Sequence, residues 1–279
     1  MPTTLTPTPW NPTKLIRVED GPFDTSMGTA KVKTDATFGY LKALGSWQGS
    51  QALACEYVGS SLARWFGLPV AAFAVMTLTE ADCYDLPRGM RTLPGPAFVS
   101  RELAGRTWGG VADDLRRLAN PEAVTRLVVF DTWIRNHDRH PPDPTTWTPN
   151  PANVFLADTA RPGRPMLHAI DHTHCFNRRE LSPYLAAVER VQDAGTYGLF
   201  PAFRDFIEPA DLAWSGAQLR TLRADEVRAI VDGIPAEWEV GGPIQAALVE
   251  LIVNRAAWMA DRIRDGWGTN FREPIGGLS

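Results

Sequence analysis

The pattern of apolar and polar positions divides the chain into two parts. Up to about residue 104 the apolar runs are short and are separated by turns that carry Gly, Asp or Pro, which is typical of strands. The predicted strands cover residues 14–18, 29–34, 39–44, 70–77 and 97–101. A helix is predicted over 50–66, because apolar residues recur there at helical spacing until Gly67 and Pro69 end it. This part of the chain therefore predicts a small sheet with one helix.

Helical spacing dominates after residue 104. Asn120 and Pro121 form an N-cap and first-turn pair for a helix over 120–135, and further helices are predicted over 225–231 and 244–264. Between them, residues 137–176 are rich in loops, with short strands predicted over 153–156 and 166–170. A β-rich part followed by a helical part predicts an α+β fold with a ligand cleft where the two parts join.

This reading gives four regions. The predicted boundaries are a flexible tail over 1–13, a small β-rich N-lobe over 14–104, a larger helical C-lobe over 105–272 and a tail over 273–279.

Composition narrows the function classes. The 279 residues carry a net charge of −4 and the pI is about 5.8, which argues against a broad nucleic-acid or membrane surface. Three widely spaced cysteines form no evident disulfide framework, as expected in a reducing compartment. The N-terminus is rich in Thr and Pro and does not resemble a signal peptide, and the longest apolar run, 68–76, is too short to span a bilayer. We expect a soluble, cytoplasmic protein without a membrane partner.

The basic residues are unevenly used. Of 28 Lys and Arg residues only four are lysines, namely Lys14, Lys31, Lys33 and Lys42. All five histidines lie between His137 and His174. A phosphate-binding lysine must therefore be one of these four residues, and a site that contains histidine must lie in or near residues 137–174.

Three polar residues follow one another in an order that suits phosphoryl transfer. Asp138 lies in an Asp-Arg-His loop after a predicted helix, Asn153 begins a predicted strand, and Asp171 follows the next strand. Transfer from ATP needs a carboxylate that orients the attacking hydroxyl, and Asn and Asp oxygens that hold Mg²⁺. Asn150 competes with Asn153 for the metal-binding role.

A lysine and a glutamate lie upstream at a suggestive spacing. Lys42 is on a predicted strand, and Glu56 follows fourteen residues later in the predicted helix. Kinases use such an ion pair to orient the phosphate-binding lysine. Lys31 and Lys33, which share one face of a strand, are the competing lysines.

Four segments resemble the HipA-like kinase family, a bacterial branch of the protein-kinase-like fold with distant similarity to phosphatidylinositol kinases. These segments are GYLKALGSWQGSQALACEYVGSSLARWFGLPV (39–70), FDTWIRNHDRH (130–140), NVFL (153–156) and AIDHTHCF (169–176). The resemblance covers about residues 15–265. It implies a two-lobed protein-kinase-like fold and an ATP- and Mg²⁺-dependent kinase, with protein Ser or Thr as the acceptor in the best-known members.

The resemblance also implies roles for single residues. Asp138 would be the catalytic base, and Asn153 and Asp171 would be the metal ligands. Lys42 would contact the α- and β-phosphates, and Glu56 would hold Lys42.

The remaining implied contacts concern the nucleotide. The segment 98–103 would be the hinge that meets adenine, with Phe98, Ser100 and Glu102 as the cofactor-binding positions. The loop 19–28 would cover the phosphates, and within it Thr25 and Ser26 are candidate autophosphorylation sites.

The chain departs from the family pattern in two ways. The catalytic Asp and the metal-binding Asn are usually about five residues apart, whereas here a Pro-rich segment, 141–149, lies between them. We expect the segment 141–152 to lie beside the acceptor and to select it. The chain also lacks the longer N-terminal subdomain of the full-length toxin type, so toxin activity and an antitoxin-like partner do not follow from the resemblance.

Other functions remain open from the sequence. A small-molecule phosphotransferase would use the same machinery, and a nucleotide-binding module could have lost catalysis. A zinc-binding hydrolase or a structural zinc site is suggested by ligand types alone: His137, His140, His172, His174 and Cys175. His140 could orient the Asp171 loop or have a purely structural role.

Overall fold

The computed structural model describes residues 10–23, 28–178 and 180–271. Contacts divide the chain into two compact units. The first unit takes its described residues from 1–53 and 71–103, and the second takes its described residues from 54–70 and 104–279. Most of the predicted helix near residue 56 therefore packs with the second unit, although the sequence grouped it with the strands of the first.

The first unit is built on a five-stranded antiparallel sheet with the strand order β1-β2-β3-β5-β4. Its strands are β1 (Leu15–Asp20), β2 (Ala30–Thr34), β3 (Phe38–Lys42), β4 (Phe73–Leu78) and β5 (Gly95–Arg101). Alternate residues of β2 are buried, so one face of the sheet covers an apolar core that includes Val32, Leu41 and Val99. The strand predictions are thus confirmed with small shifts at their ends.

The strand predicted over 70–77 begins three residues later than expected. β4 lies at the edge of the sheet and is mostly half-buried, whereas β5 lies between β3 and β4. An apolar run such as 68–76 predicts burial but cannot distinguish an edge strand from a central one.

The helix α1 (Gln51–Trp65) connects β3 to β4 and confirms the predicted helix. It ends where Gly67 takes a φ of +81°, a conformation that glycine adopts readily. Near its end, the ring of Phe66 lies 6.0 Å from that of Phe130 and 5.9 Å from that of Trp133. These aromatic contacts explain why the later part of α1 belongs to the second unit.

The second unit is mainly helical. Its helices after α1 are α2 (Ala112–Arg116), α3 (Glu122–Ile134), α4 (Val188–Val191), α5 (Pro209–Arg220), α6 (Ala224–Val231) and α7 (Gly242–Arg264). The core of this unit contains the fully buried rings of Trp108, Trp133 and Trp238, whereas Trp258 is half-buried beside Arg255 and Arg262.

A three-stranded antiparallel sheet accompanies these helices. Its strands are β6 (Gly105–Thr107), β7 (Val154–Ala157) and β8 (Met166–Ala169), in the order β6-β7-β8. Val154 pairs with Ala169, so the residue before β7 and the residues after β8 lie at the same end of the hairpin. Asn153 and Asp171 are therefore brought to one place by the strand register.

The predicted role of Asn120 as a helix cap is corrected. Asn120 was predicted to cap α3, but its side chain instead accepts a bond from the backbone N–H of Leu167 and donates one to the Leu167 carbonyl, at 2.8 and 3.0 Å. β8 is an edge strand, and the Asn120 amide satisfies its open backbone groups as a neighbouring strand would.

The helix α5 was not predicted at all. Its buried positions have helical spacing, but two of them, Ser215 and Gly216, are not apolar, so the hydrophobic pattern is weak. In the parts of the chain that are described, no helix is long and apolar enough to cross a membrane.

Candidate active site

Three predicted site residues converge at the loop after α3 that carries Asp138, which is the predicted catalytic loop. The amide Nδ2 of Asn153 donates to Asp138 Oδ2 at 2.6 Å. Asn150 Nδ2 lies 3.5 Å from the same oxygen and 3.0 Å from Asn153 Oδ1. Because Asn153 is buried and its amide nitrogen faces Asp138, the orientation of the Asp138 carboxylate is tied to the start of β7.

The unusual spacing between Asp138 and Asn153 is accommodated by a closed loop. The backbone N–H of Asn150 donates to the Arg139 carbonyl at 2.9 Å, so the chain returns to the catalytic loop directly after the Pro-rich segment. Residues 141–149 thus form a loop whose two ends lie close together. This closure brings Asn153 to Asp138 although the two residues are fifteen positions apart in the sequence.

Arg139 links the catalytic loop to the strand that precedes Asp171. Its guanidinium lies 3.2 Å from the Asp131 carboxylate of α3, and both side chains are fully buried. Arg139 Nη2 and Nη1 also reach the carbonyl of Ile170, at 3.1 and 3.4 Å. Burial raises the pKa of Asp131 while Arg139 acts in the opposite direction. Arg139, which directly follows Asp138, therefore also fixes the residue that precedes Asp171.

Asp171 occupies a tight turn at the end of β8. Its φ is +58°, in the left-handed region that Asp tolerates better than most side chains. Thr173 donates to Asp171 Oδ1 through its hydroxyl at 2.8 Å and its backbone N–H at 3.4 Å. These bonds hold one carboxylate oxygen in a defined place.

Glu56 of α1 supports the same turn from the other side. Its Oε2 accepts the backbone N–H of His172 at 3.1 Å, and its Oε1 accepts the Ser60 hydroxyl at 3.4 Å. A Cβ on Gly59 would lie 2.5 Å from the His172 Cβ, so glycine is needed for this close approach. The sequence missed the link between Glu56 and the turn after Asp171, and the predicted ion pair of Glu56 with Lys42 stays a prediction.

The predicted nucleotide-binding residues of the first unit lie on two neighbouring strands. Lys42, which is buried, ends β3 and pairs with Phe98 of β5, and Tyr40 pairs with Ser100. β5 has partners on both sides, so Phe98 and Ser100 lie within the sheet and not in a free segment.

Glu102 follows the end of β5. Lys31 Nζ donates to Glu102 Oε1 at 2.6 Å, with about a third of each side chain exposed. Lys31 thus has a carboxylate partner of its own. The adenine-contacting roles of Phe98, Ser100 and Glu102 stay predictions.

The histidines have structural surroundings that do not suit a zinc site. Burial lowers the pKa of His137 to about 3, and its ring packs edge-on against Tyr197. Burial also lowers the pKa of His140, whose ring packs against Phe200 and whose Nδ1 lies 2.9 Å from the Pro141 carbonyl. Within residues 10–23, 28–178 and 180–271, no group of three or more His, Cys, Asp or Glu side chains could hold a metal ion. The zinc alternative has no support there.

Part of the predicted phosphate loop, 24–27, lies outside the described residues. Thr25 and Ser26, the candidate autophosphorylation sites, lie outside the described residues.

Comparison with known proteins decides the family. Residues 33–266 match the family described as HipA-like kinase, which is well over half of the chain. The chain belongs to the HipA-like kinase family. Among solved structures, a similar one is the proinflammatory kinase CtkA of Helicobacter pylori, with a TM-score of 0.51, 11% sequence identity, and coverage of 95% of this chain and 97% of that chain. At that identity the likeness shows a shared kinase-like fold. No match was found among curated proteins.

Sequence reasoning left three residues of this kinase without a role. Asp131 interrupts an apolar run in α3, and a charged residue in such a run signals a buried partner. That partner, Arg139, directly follows Asp138 in the sequence. Trp147, whose indole N–H donates to Asp138 Oδ1 at 3.0 Å, could have been suspected only as the one large aromatic residue of the Pro-rich segment.

The donor set of this kinase fits magnesium better than a softer metal. Asn153 Oδ1 and the Asp171 carboxylate are hard oxygen ligands, and they lie at the same end of the β7–β8 hairpin. Asn150 now donates to Asn153 Oδ1, so it borders the same oxygen. The chemistry of these groups suits a hydroxyl acceptor and a phosphate donor held by a divalent cation.

Proposed function

We propose that this chain is an ATP- and Mg²⁺-dependent kinase that transfers the γ-phosphoryl group to a hydroxyl, with Ser or Thr of a protein as the acceptor. The observation that carries the proposal is the bond from Asn153 to Asp138, at 2.6 Å, on a loop that Arg139 ties to the strand before Asp171. Asn153 and Asp138 are thus bonded to each other, and Asp171 directly follows the residue to which Arg139 is bonded.

Asp138 is the group that meets the acceptor. Its carboxylate would accept a hydrogen bond from the attacking hydroxyl and take up its proton. The hydroxyl oxygen forms a bond to the γ-phosphorus while the bond from that phosphorus to the bridging oxygen breaks, and ADP leaves with the electron pair. Asn153 holds Oδ2 of this carboxylate, so Oδ1, which accepts the Trp147 indole N–H, would be the oxygen that faces the acceptor. A fixed carboxylate is effective because little reorganisation is needed at the moment of transfer.

Asn153 and Asp171 would hold the magnesium ions. When bound, these ions supply positive charge that neutralises the phosphates of ATP. Thr173 keeps Asp171 Oδ1 in place, and Glu56 holds the backbone of the following residue. The protein therefore positions this carboxylate from two directions.

The first unit would contribute to nucleotide binding. Lys42, buried at the end of β3, is the proposed contact for the α- and β-phosphates. Phe98, Ser100 and Glu102 are the proposed adenine-binding positions. Lys31 is a weaker candidate for the phosphates because Glu102 already neutralises it.

A small-molecule phosphotransferase is the alternative within the same chemistry. The segment 141–152 approaches Asp138 through Trp147 and Asn150, so its residues would determine the acceptor in either case. No observation in the described residues favours a small molecule over a protein.

The proposal is tested with ATP labelled in the γ-phosphate. The intact protein is incubated with Mg²⁺ and a general protein acceptor such as dephosphorylated casein, next to the variants Asp138→Asn and Asp171→Asn. We expect label in protein from the unmodified chain and a loss of at least 100-fold in both variants. The matched control is Asp232→Asn, an exposed carboxylate directly after α6, which should retain activity.

Each contrary outcome has a definite meaning. Label transfer that is equal in all four proteins would refute the roles of Asp138 and Asp171. An ATP-dependent rise in melting temperature without any turnover would favour a nucleotide-binding module that has lost catalysis.

A further inference from the structure

The catalytic carboxylate carries a contact that phosphoryl transfer does not require. Trp147 Nε1 donates a hydrogen bond to Asp138 Oδ1 at 3.0 Å. Asn153 and Asn150 direct their amide groups to the other oxygen, Oδ2. The oxygen that would face an acceptor hydroxyl is therefore the one to which the indole is bonded.

The indole is held in this position by the residues around it. Its ring packs edge-on against the His174 ring, with 5.0 Å between the ring centres. The Arg178 guanidinium lies 5.8 Å from the centre of the indole, and Arg178 Nη2 donates to the Thr146 carbonyl at 3.0 Å. Trp147 thus packs between the catalytic loop and the segment that follows Asp171.

The turn before Trp147 is also ordered by local bonds. Asp143 accepts hydrogen bonds from the backbone N–H and the hydroxyl of Thr145, and its carbonyl accepts two from Thr146. The other end of the segment is closed by the bond from Asn150 to Arg139. These bonds hold the Pro-rich segment in a conformation in which the indole N–H of Trp147 reaches the Asp138 carboxylate.

We propose that Trp147 guards Asp138 against water, and that an acceptor must displace its indole N–H to reach the carboxylate. This inference rests on the proposed function, because it assigns a selective role at the same carboxylate. The guard makes transfer to a bound acceptor favoured over hydrolysis of ATP. Trp147 would then be a residue that determines specificity for the acceptor.

The suppressed side reaction is hydrolysis. A water oxygen would form a bond to the γ-phosphorus while the bond from that phosphorus to the bridging oxygen breaks. ADP would leave with the electron pair, and the proton of the water would pass to Asp138 Oδ1. A water molecule has too few contacts to displace the indole, whereas a bound acceptor brings contacts along its whole length.

The test compares phosphate release with the variant Trp147→Phe, which keeps an aromatic ring and removes the N–H donor. Release of inorganic phosphate from ATP is measured with Mg²⁺ and without an acceptor. We expect at least about a tenfold rise over the unmodified chain, because a hydrogen bond to a charged group is lost. The matched control is Trp214→Phe, a partly exposed tryptophan of α5 that also packs against an arginine, and it should leave phosphate release unchanged.

A second variant keeps the test informative if Trp147→Phe folds poorly. Arg178→Gln removes the bond to the Thr146 carbonyl and should raise phosphate release in the same direction, by about threefold. In the double variant the rise in phosphate release should not exceed that of Trp147→Phe alone, because both changes act on the same hydrogen bond to Asp138. A residue with a merely structural role would not produce this pattern.

The outcomes separate the guard from the proposed function. If the unmodified chain transfers label to casein but Trp147→Phe releases phosphate at the same rate or more slowly, the guard is refuted, and a slower rate would mean that the indole positions Asp138. If the unmodified chain neither transfers label nor releases phosphate, and both variants are equally inactive, the proposed function itself fails.

Discussion

The catalytic loop of the second unit and the sheet of the first unit hold their charged residues by different means. Asp131 and Arg139 form a fully buried ion pair whose arginine also serves the carbonyl of Ile170. Lys31 and Glu102 form a pair with about a third of each side chain exposed. One pair is part of the interior, and the other lies at the surface of a sheet whose core is apolar.

The difference shows which parts of this kinase depend on their polar contacts. A buried charge that loses its partner cannot turn to water, so its removal affects the whole loop. A half-exposed charge that loses its partner becomes solvated, so the sheet keeps its apolar packing. We expect the catalytic loop to be sensitive to single polar substitutions and the half-exposed pair of Lys31 and Glu102 to be tolerant of them.

The largest effect is expected at the buried pair. Arg139→Met keeps the apolar volume but leaves the Asp131 carboxylate without its cation, and should lower the free energy of unfolding by about 3–5 kcal/mol. Urea unfolding measures this change. In the double variant Asp131→Asn with Arg139→Met, part of the stability should return. A loss below about 1 kcal/mol in the single variant would abolish the contrast between the two regions.

The two asparagines sharpen the same comparison within the site. Asn153→Ala removes the bond to Asp138 and a proposed metal ligand, and should lower phosphoryl transfer by about 100-fold. Asn150→Ala removes a longer contact to Asp138 and should lower it by less than about tenfold. Transfer rates over a range of Mg²⁺ concentrations measure both effects. The reverse order would identify Asn150 as the metal ligand.

The buried His137 gives the catalytic region a dependence on pH. Burial lowers its pKa from 6.5 to about 3, so only the unfolded chain binds a proton between these values. The contribution of His137 to the free energy of unfolding is complete above pH 6.5. It is lost as the pH falls, and about 2 kcal/mol is lost at pH 5. His137→Phe keeps the ring against Tyr197, and the variant should lose this part of the pH dependence. Urea unfolding at pH 7 and pH 5 checks it, and an unchanged difference between the two pH values would contradict the assignment.

The smallest effect is expected in the first unit. Lys31→Met breaks the pair with Glu102 in a half-exposed position and should lower the free energy of unfolding by far less than Arg139→Met does. The same urea experiment as for Arg139→Met allows direct comparison. A loss as large as that of Arg139→Met would show that the sheet depends on its charges as much as the catalytic loop does.

Much of the fold could be predicted because short strands and amphipathic helices leave a local signal. The strands β1, β2, β3 and β5 and the helices α1, α6 and α7 follow from apolar spacing and from the Gly and Pro residues that end them. α5 could not be found in this way, because Ser215 and Gly216 occupy buried positions on it. The edge position of β4 could not be read either, since it depends on strand order.

The residues of the candidate site could be named from the sequence, whereas the hydrogen bonds and ion pairs between them could not. The order of Asp138, Asn153 and Asp171 and their place at strand and helix ends can be read from the sequence, because these motifs are contiguous with regular elements. The roles of Lys42, Phe98, Ser100 and Glu102 in nucleotide binding remain predictions.

The sequence by itself determined the family of this kinase, its main elements and the residues that could carry its chemistry, because these depend on residue types and on short spacings. Only the tertiary structure decided how the site is held. The ion pair of Asp131 with Arg139, the bonds of Glu56 to the turn after Asp171, and the approach of Trp147 to Asp138 join elements that are separated along the chain. Such contacts form because buried polar groups must find partners, and which partner lies within reach is set by the packing of helices and strands around them.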